Sequence, residues 1–75
     1  MAKLPQVSGK DVGRALTRLG FVLKSQRGSH MKFVKEDDFG RCVIIVPAHD
    51  TIRPGTLYGI LKQVNISVDR FKKLI

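Results

Sequence analysis

The apolar residues of this chain change their spacing twice, and this change limits the folds that the chain can adopt. Over residues 12–19 they recur every three or four positions, which is typical of the buried side of a helix. Over residues 21–46 they alternate or form short runs between turn residues, which is typical of strands. The helical spacing returns over residues 57–64. The sequence therefore predicts a helix, a group of strands and a second helix.

Residues that favour helix ends bound these segments. A serine hydroxyl can cap the first amides of a helix, proline suits the first helical position, and glycine or asparagine suits the position after the last turn. A carboxylate three residues after the serine, as at Asp11, adds to such a start. The predicted boundaries are Ser8 and Gly20 for the first helix, Pro54 and Asn65 for the second, and Ser67 for the start of a short third helix.

Three strands are predicted between the helices, over residues 21–26, 30–35 and 41–46. With residues 37–40 as the second turn, Glu36 pairs with Arg41, and His30 lies opposite Pro47. With residues 27–29 as the first turn, the expected pairs are Gln26 with His30, Lys24 with Lys32 and Leu23 with Phe33. The core face then holds Leu23, Met31, Phe33 and Ile44, and the open face holds Lys24, Gln26, His30 and Lys32.

The fold class that follows is α+β, with a three-stranded antiparallel sheet, both long helices on one of its faces and a short C-terminal helix. A chain of 75 residues has room for one hydrophobic core, so residues 1–75 are expected to be a single domain. The third strand is apolar on both sides, which leaves Val43 and Ile45 on the open face. Such a surface suits a homo-oligomer or a partner protein.

The charge of the chain points to a polyanionic or acidic partner. Its 14 Lys and Arg residues against 6 Asp and Glu give a net charge of +8, which is spread along the sequence. No apolar stretch has membrane-spanning length, and residues 1–10 lack the apolar core of a signal peptide. The single cysteine, Cys42, lies in an apolar run and is expected to be buried. The expected location is the cytoplasm, with no membrane partner.

The segment Arg27-Gly28-Ser29-His30 carries the chemistry that the sequence offers. It places a histidine directly after a tight turn, at the start of a strand, in a strongly basic chain. An imidazole changes its protonation state near neutral pH, so it can take the proton from a ribose 2′-hydroxyl. Positive side chains can stabilise the charge that then develops on the attacked phosphate. His30 is therefore the candidate catalytic base for metal-free cleavage of RNA.

The candidates for substrate binding surround that histidine. Positive charge comes from Lys24, Arg27 and Lys32. Gly28 lets the main chain approach a phosphate closely, and Ser29 can hold an oxygen through its hydroxyl or amide. The set is completed by Lys10 and Arg14, which share a helix ridge with Arg18, and by His49 in Pro47-Ala48-His49-Asp50, at the same end of the sheet as His30. No metal or other cofactor is expected, because two histidines with one nearby carboxylate form a poor metal site.

Each of these features also has an ordinary structural explanation. A histidine at a turn is usually a surface or capping residue, a basic helix ridge is usually a solvated face, and Pro54-Gly55-Thr56 is more often simply a helix start. The residues alone therefore leave two functions open. One is a metal-free ribonuclease, and the other is a non-catalytic module that binds RNA through phosphates and 2′-hydroxyls. Salt-dependent RNA binding is expected of both.

A series of short motifs runs in order along nearly the whole chain. It begins with the helix start Ser8-Gly9 and with Leu19-Gly20-Phe21, and it ends with Ile66-Ser67. Between them lie Gly28-Ser29-His30, a strand, Gly40, an apolar strand ending at Pro47 and His49, and Pro54-Gly55-Thr56-Leu57 leading into Ile60-Leu61. This ordered series resembles the HicA (YcfA-like) family of mRNA interferase toxins.

The resemblance implies more than the spacing of residues indicates. It implies a double-stranded-RNA-binding-domain-like fold of the order α-β-β-β-α, and a metal-independent endoribonuclease that arrests translation by cutting mRNA. It also implies a HicB-type antitoxin as partner, and it makes His30 the catalytic residue. His49 matches a recurrent Pro-x-His position to which no definite role is attached. A family member that has lost activity is a third possibility that the residues leave open.

Overall fold

The computed structural model describes residues 3–75. In chain order, the elements are helix α1 (Gly9–Arg18), strands β1 (Val22–Arg27), β2 (His30–Asp37) and β3 (Gly40–Pro47), and helices α2 (Pro54–Val64) and α3 (Val68–Leu74). The predicted order and the short C-terminal helix are confirmed. Met1 and Ala2, part of the segment expected to hold no signal peptide, lie outside the described residues. Within the described range, no helix combines the length and the apolar character needed to cross a membrane.

Helix α1 begins with a reciprocal pair of hydrogen bonds at Ser8 and Asp11. The Asp11 amide donates to the Ser8 hydroxyl oxygen at 3.1 Å, and the Ser8 amide donates to the Asp11 carboxylate at 3.0 Å. The main-chain hydrogen bond from Ser8 lowers the pKa of the Asp11 carboxyl, because it favours the charged form. Gly20, with φ +98°, follows the C-cap residue Leu19, so both predicted ends of α1 are confirmed.

Helix α2 begins and ends as predicted, and α3 begins as predicted. Pro54 occupies the first turn of α2, and Asn65 closes that helix in the left-handed conformation, with φ 57° and ψ 47°. The hydroxyl oxygen of Ser67 accepts a 3.1 Å hydrogen bond from the amide of Arg70 and so caps α3. The end of α3 is held by Arg18, whose guanidinium donates to the Leu74 carbonyl oxygen at 2.7 Å.

The strands form one antiparallel sheet in the order β1-β2-β3, so β1 and β3 are its edges. Between β2 and β3 the register is unbroken, and it pairs Glu36 with Arg41 and His30 with Pro47, as predicted. Towards the turn, β2 extends two residues further than predicted, to Asp37, and β3 begins one residue earlier, at Gly40. The Asp37 carboxylate supports this shorter turn by accepting a 2.8 Å hydrogen bond from the Phe39 amide.

The register between β1 and β2 differs from the predicted one at the turn end. Leu23 lies opposite Phe33 as predicted, but Gln26 lies opposite Met31, and Lys24 has no partner. A bulge between Leu23 and Ser25 takes up the extra residue, and the turn is shortened to Gly28-Ser29. The predicted pairs Gln26 with His30 and Lys24 with Lys32 are therefore wrong, because a bulge reverses the alternation of faces after it. The observed pairs are Ser25 with Lys32 and Arg27 with His30.

The helices cover one face of the sheet and leave the other open, which is the predicted two-layer α+β arrangement of a double-stranded-RNA-binding-domain-like fold. The core joins residues from the sheet and from all three helices; among them are Val12, Leu16, Met31, Phe33, Ile44, Val46, Leu57, Ile60, Leu61 and Phe71. Leu23 was expected in this core, but it is 47% exposed, because it lies on the edge strand. Cys42 is half-buried and packs against the core.

The open face of the sheet has an apolar row at its centre. Val34 of the middle strand is flanked by its partners Val22 and Val43 on the two edge strands. This flanking leaves Val34 only 2% exposed, although no helix covers that face. Val43 and Ile45 remain exposed there, as predicted. Towards the β2–β3 turn the row gives way to Glu36 and Arg41, whose side chains are 3.7 Å apart.

Candidate functional site

The turn before His30 is tight and depends on a glycine. Gly28 and Ser29 are the only two residues between the paired Arg27 and His30, and Gly28 adopts φ +56°. Two-residue hairpin turns of this kind need a positive φ at the first central position, which glycine adopts without steric cost. The turn places the His30 side chain, which is exposed, at the end of the sheet, directly opposite Arg27 on one side and Pro47 on the other.

A groove on the open face contains His30. It has a volume of about 250 Å³ and is lined by Ser25, Arg27, His30, Lys32 and Ile45; we call it the open-face groove. The two ion pairs formed within residues 3–75 join Asp11 to Arg14 and Glu36 to Arg41, so neither Arg27 nor Lys32 is neutralised in that range. An imidazole between two cations can accept a proton while the cations face phosphate oxygens.

The predicted substrate-binding residues divide into those near this groove and those apart from it. Arg27 and Lys32 line the groove with His30, and Gly28 and Ser29 form the adjoining turn. Lys24 is not in the groove; because it is the bulge residue, it lies further along the face, in a hollow with Val22, Val34 and Glu36. Gln26, expected beside His30, lies opposite Met31 on the other face.

The basic ridge of α1 is not brought to the open-face groove. Helix α1 packs on the core face of the sheet, where the ring of Phe33 lies against Gly13. Lys10 and Arg14 are exposed on this helix, and the Arg14 guanidinium is 3.8 Å from the Asp11 carboxylate. Arg18 is exposed as well, but its guanidinium donates to the Leu74 carbonyl oxygen at the end of α3. The three residues that were expected to act together therefore have different surroundings.

His49 lies at the same end of the sheet as His30, as predicted, but in a second groove. This groove has a volume of about 290 Å³ and is lined by Pro47, His49, Thr51, Ile52, Arg53 and Thr56; we call it the loop groove. Main-chain hydrogen bonds fix the segment around it. The carbonyl oxygen of His49 accepts from the Gly9 amide at 2.8 Å, and the Ile52 amide donates to the Val7 carbonyl oxygen at 2.8 Å.

The grooves also contain residues that were not among the sequence candidates, among them Ser25, Ile45 and Arg53. Strict alternation from Leu23 would put Ser25 on the core face, and only the bulge moves it beside Lys32. Ile45 was expected on the open face, and the predicted pairing of His30 with Pro47 was the signal that could have placed it near the histidine. Arg53 carried no signal beyond its place before the helix start at Pro54.

Within residues 3–75, no group of three or more His, Cys, Asp or Glu side chains is placed to hold a metal ion.

A known protein family matches most of the chain. No curated protein matches the chain. A family model described as the HicA toxin of bacterial toxin–antitoxin systems matches residues 9–66, which is more than half of the chain and includes every strand, α1, α2 and both grooves. The chain belongs to the HicA toxin family.

Proposed function

We propose that this chain is a metal-independent endoribonuclease that cuts mRNA and so arrests translation, with His30 as the general base. The observation that supports this most directly is the surroundings of His30, an exposed imidazole in a groove that also holds Arg27 and Lys32. Membership of a toxin family supports a harmful activity. The groove supplies the two things that cleavage of RNA needs without a metal, a proton acceptor and positive charge.

The reaction begins with the ribose 2′-hydroxyl. His30 takes the hydroxyl proton, and the 2′-oxygen forms a bond to the adjacent phosphorus. Arg27 and Lys32 stabilise the extra negative charge on the phosphate oxygens while this bond forms. The bond from phosphorus to the 5′-oxygen then breaks, and that oxygen takes a proton from water or from the protonated imidazole. The products are a 2′,3′-cyclic phosphate and a 5′-hydroxyl end.

The turn and the bulge contribute to binding. Ser25 lines the groove, and its hydroxyl can donate to a phosphate oxygen. The absence of a Cβ at Gly28 leaves the main chain there open to close approach. A Cβ at Gly28 would meet no atom within 4 Å, so the glycine is required by its φ of +56° and not by crowding. Ile45 gives the groove one apolar wall, which suits the face of a base.

The partner is an antitoxin, since the chain is a toxin of a toxin–antitoxin system. We assign it to the HicB type and to the open face of the sheet. Val43 and Ile45 supply exposed apolar surface there, and Arg27 and Lys32 supply positive charge. An antitoxin that covers this face needs apolar residues at the centre of its contact surface and acidic residues near the open-face groove. The proposed site of action is the cytoplasm, where mRNA is translated.

The test is cleavage of a defined mRNA by the purified protein in excess EDTA. Wild type is expected to cut, and His30→Ala is expected to cut at least a hundredfold more slowly, the usual contribution of a general base being about 10²–10⁴-fold. Analysis of the new ends should find a cyclic phosphate or 3′-phosphate together with a 5′-hydroxyl. Because His30 is exposed, the variant should unfold at the same temperature as wild type.

Lys73→Ala is the matched control, because it removes an exposed side chain from α3, which contributes no residue to either groove. It should cut at the wild-type rate. If His30→Ala cuts as fast as wild type, His30 is not the base. If neither protein cuts and both bind RNA with the same salt dependence, the chain is an RNA-binding module or an inactive family member.

A further inference from the structure

The loop groove has the side-chain chemistry of a site for a phosphodiester strand. His49 and Arg53 can donate to phosphate oxygens, and Thr51 and Thr56 add hydroxyls that can donate or accept. Pro47 and Ile52 give it an apolar floor. The hydrogen bonds that hold this loop in place join main-chain atoms and do not involve these side chains. The four polar side chains therefore remain available to a ligand.

The loop groove adjoins the open-face groove. His30 lines the open-face groove, Pro47 lines the loop groove, and the two residues lie directly opposite each other in the β2–β3 ladder. Opposite residues of an antiparallel pair have Cα atoms about 4.5–5.5 Å apart and point to the same face. The amide of Ala48 also donates to the carbonyl oxygen of Ser29 at 2.6 Å, which joins the loop to the turn before His30. A single strand of nucleic acid can therefore pass from one groove to the other.

The charge of Arg53 is open to an anion. Arg53 is exposed, and neither ion pair within residues 3–75 involves it. It is the N-cap residue of α2, but its side chain makes no capping hydrogen bond. Asp50, the one carboxylate of this loop, is exposed and does not line the groove. A guanidinium in this position can form paired hydrogen bonds to a phosphate.

We infer that the loop groove is a second subsite for the RNA strand, in which Arg53 holds a phosphate that flanks the one at His30 and His49 supports it. The preferred substrate is then a strand long enough to occupy both grooves, and a dinucleotide is a poor one. The placement relative to the cut bond rests on the proposed function. The binding of a strand in the loop groove does not rest on it.

The first experiment compares substrates of two lengths. A dinucleoside monophosphate fills only the open-face groove, whereas an oligonucleotide of twelve residues reaches both. Arg53→Ala is expected to lower kcat/KM about tenfold on the oligonucleotide, mainly through KM, and to leave kcat/KM on the dinucleotide unchanged. Arg70→Ala, which removes an exposed arginine of α3, should change neither value. An equal loss on both substrates, or no loss on either, would overturn the inference.

The second experiment needs no cleavage. Binding of a 2′-O-methyl oligonucleotide is measured over a series of salt concentrations. The binding constant falls as salt rises, and each lost phosphate contact makes the slope of log K against log salt less steep by about 0.7 for a single strand. Arg53→Ala should make the slope less steep by about that amount, and Arg70→Ala should leave it unchanged. If wild type fails to cut RNA but this difference is present, the proposed function fails and the subsite stands. If cleavage is present but the two variants have equal slopes, the subsite fails alone.

Discussion

The main-chain amide of Ala48 donates a 2.6 Å hydrogen bond to the carbonyl oxygen of Ser29. This bond extends the β2–β3 pairing by one step beyond His30 and Pro47 and ties the two histidine-bearing segments together. Neither end of the bond is a side chain, so substitution of either histidine leaves it intact. The two grooves are therefore expected to keep their relative position in the variants proposed above.

The contact between α1 and the end of β3 has no room for a side chain. At Gly9, a Cβ atom would overlap the carbonyl oxygen of Pro47 and come within 3.0 Å of the Cα of Ala48. Gly9→Ala is therefore expected to lower the free energy of unfolding by about 1–3 kcal/mol, since main-chain atoms have to move apart. Urea-induced unfolding followed by circular dichroism measures the change.

Gly59→Ala is the matched control for that change. Gly59 also lies in a helix, but a Cβ atom there would meet no atom within 4 Å. The substitution should raise the free energy of unfolding by about 0.5–1 kcal/mol, because alanine loses less conformational freedom than glycine in a helix. Equal effects of the two substitutions would show that α1 does not approach β3 as closely as described.

The turn at Gly28 should tolerate asparagine better than alanine. With φ at +56°, a residue with a Cβ atom is strained by about 1–2 kcal/mol, and asparagine adopts this region more readily than most residues. The expected order of stability in thermal unfolding is wild type, then Gly28→Asn, then Gly28→Ala. A Gly28→Ala protein as stable as wild type would contradict the described turn.

Ile44 and Ile45 are neighbours in β3 whose side chains should respond differently to the loss of one methyl group. Ile44 is fully buried and Ile45 is 48% exposed on the open face. Ile44→Val is expected to cost about 0.5–1.5 kcal/mol, and Ile45→Val less than about 0.5 kcal/mol. Chemical unfolding of the two variants under the same conditions checks the assignment of faces, and a reversed order would mean that the register is shifted by one residue.

The hydrogen bonds at the start of α1 predict a pH dependence. The pKa of Asp11 is lowered from its ordinary value of 3.8, so near that pH the folded chain binds fewer protons than the unfolded chain. The stabilising contribution of Asp11 is therefore complete above the ordinary value and is lost as the pH falls through the lower, folded-state pKa. The difference in stability between wild type and Asp11→Asn should shrink between pH 6 and pH 2.5.

Ser8→Ala removes the other half of this pair. It should cost about 1 kcal/mol at pH 7, the usual effect of losing a helix cap. Because the Ser8 amide still donates to Asp11 in this variant, part of the pH dependence should remain. If wild type, Asp11→Asn and Ser8→Ala all respond identically to pH, the described hydrogen bonds do not contribute to stability.

Most of the fold could be predicted because its signals are local. Capping residues such as Ser8 and Ser67, and the left-handed Asn65, act within a few positions of themselves, and each was found where predicted. The β2–β3 register followed from a short turn and from the need to bury Ile44 and Phe33 together. The exposure of Leu23 was not predicted. The alternation of side chains indicates the face of the sheet on which a residue lies, but it does not indicate how far the helices extend over an edge strand.

The candidate site was only partly predictable, because its composition depends on the bulge at Lys24. A prediction from alternating side chains requires every residue of a strand to have a partner on the next strand. Lys24 has none, so the residues after it point to the opposite face from the one predicted. Ser25 and Arg27 therefore replace Gln26 beside His30 and Lys32. The loop groove depends on contacts between segments that are distant in sequence, such as the hydrogen bond between Gly9 and His49. Local sequence patterns do not indicate such contacts, so this groove could not be predicted.

Strand β3 has a consequence for the behaviour of the protein in solution. It is an edge strand with an unbroken register, and its interior, residues 42–46, contains neither lysine nor proline. Such an edge is a template for pairing with a strand of another copy. The net charge of +8 opposes that pairing, and a polyanion that neutralises the charge removes the opposition. Solubility should therefore be lowest where RNA phosphates and protein charge balance, and excess RNA should restore it. Long-range charge repulsion, more than the shape of the sheet, opposes the pairing of two copies of this chain.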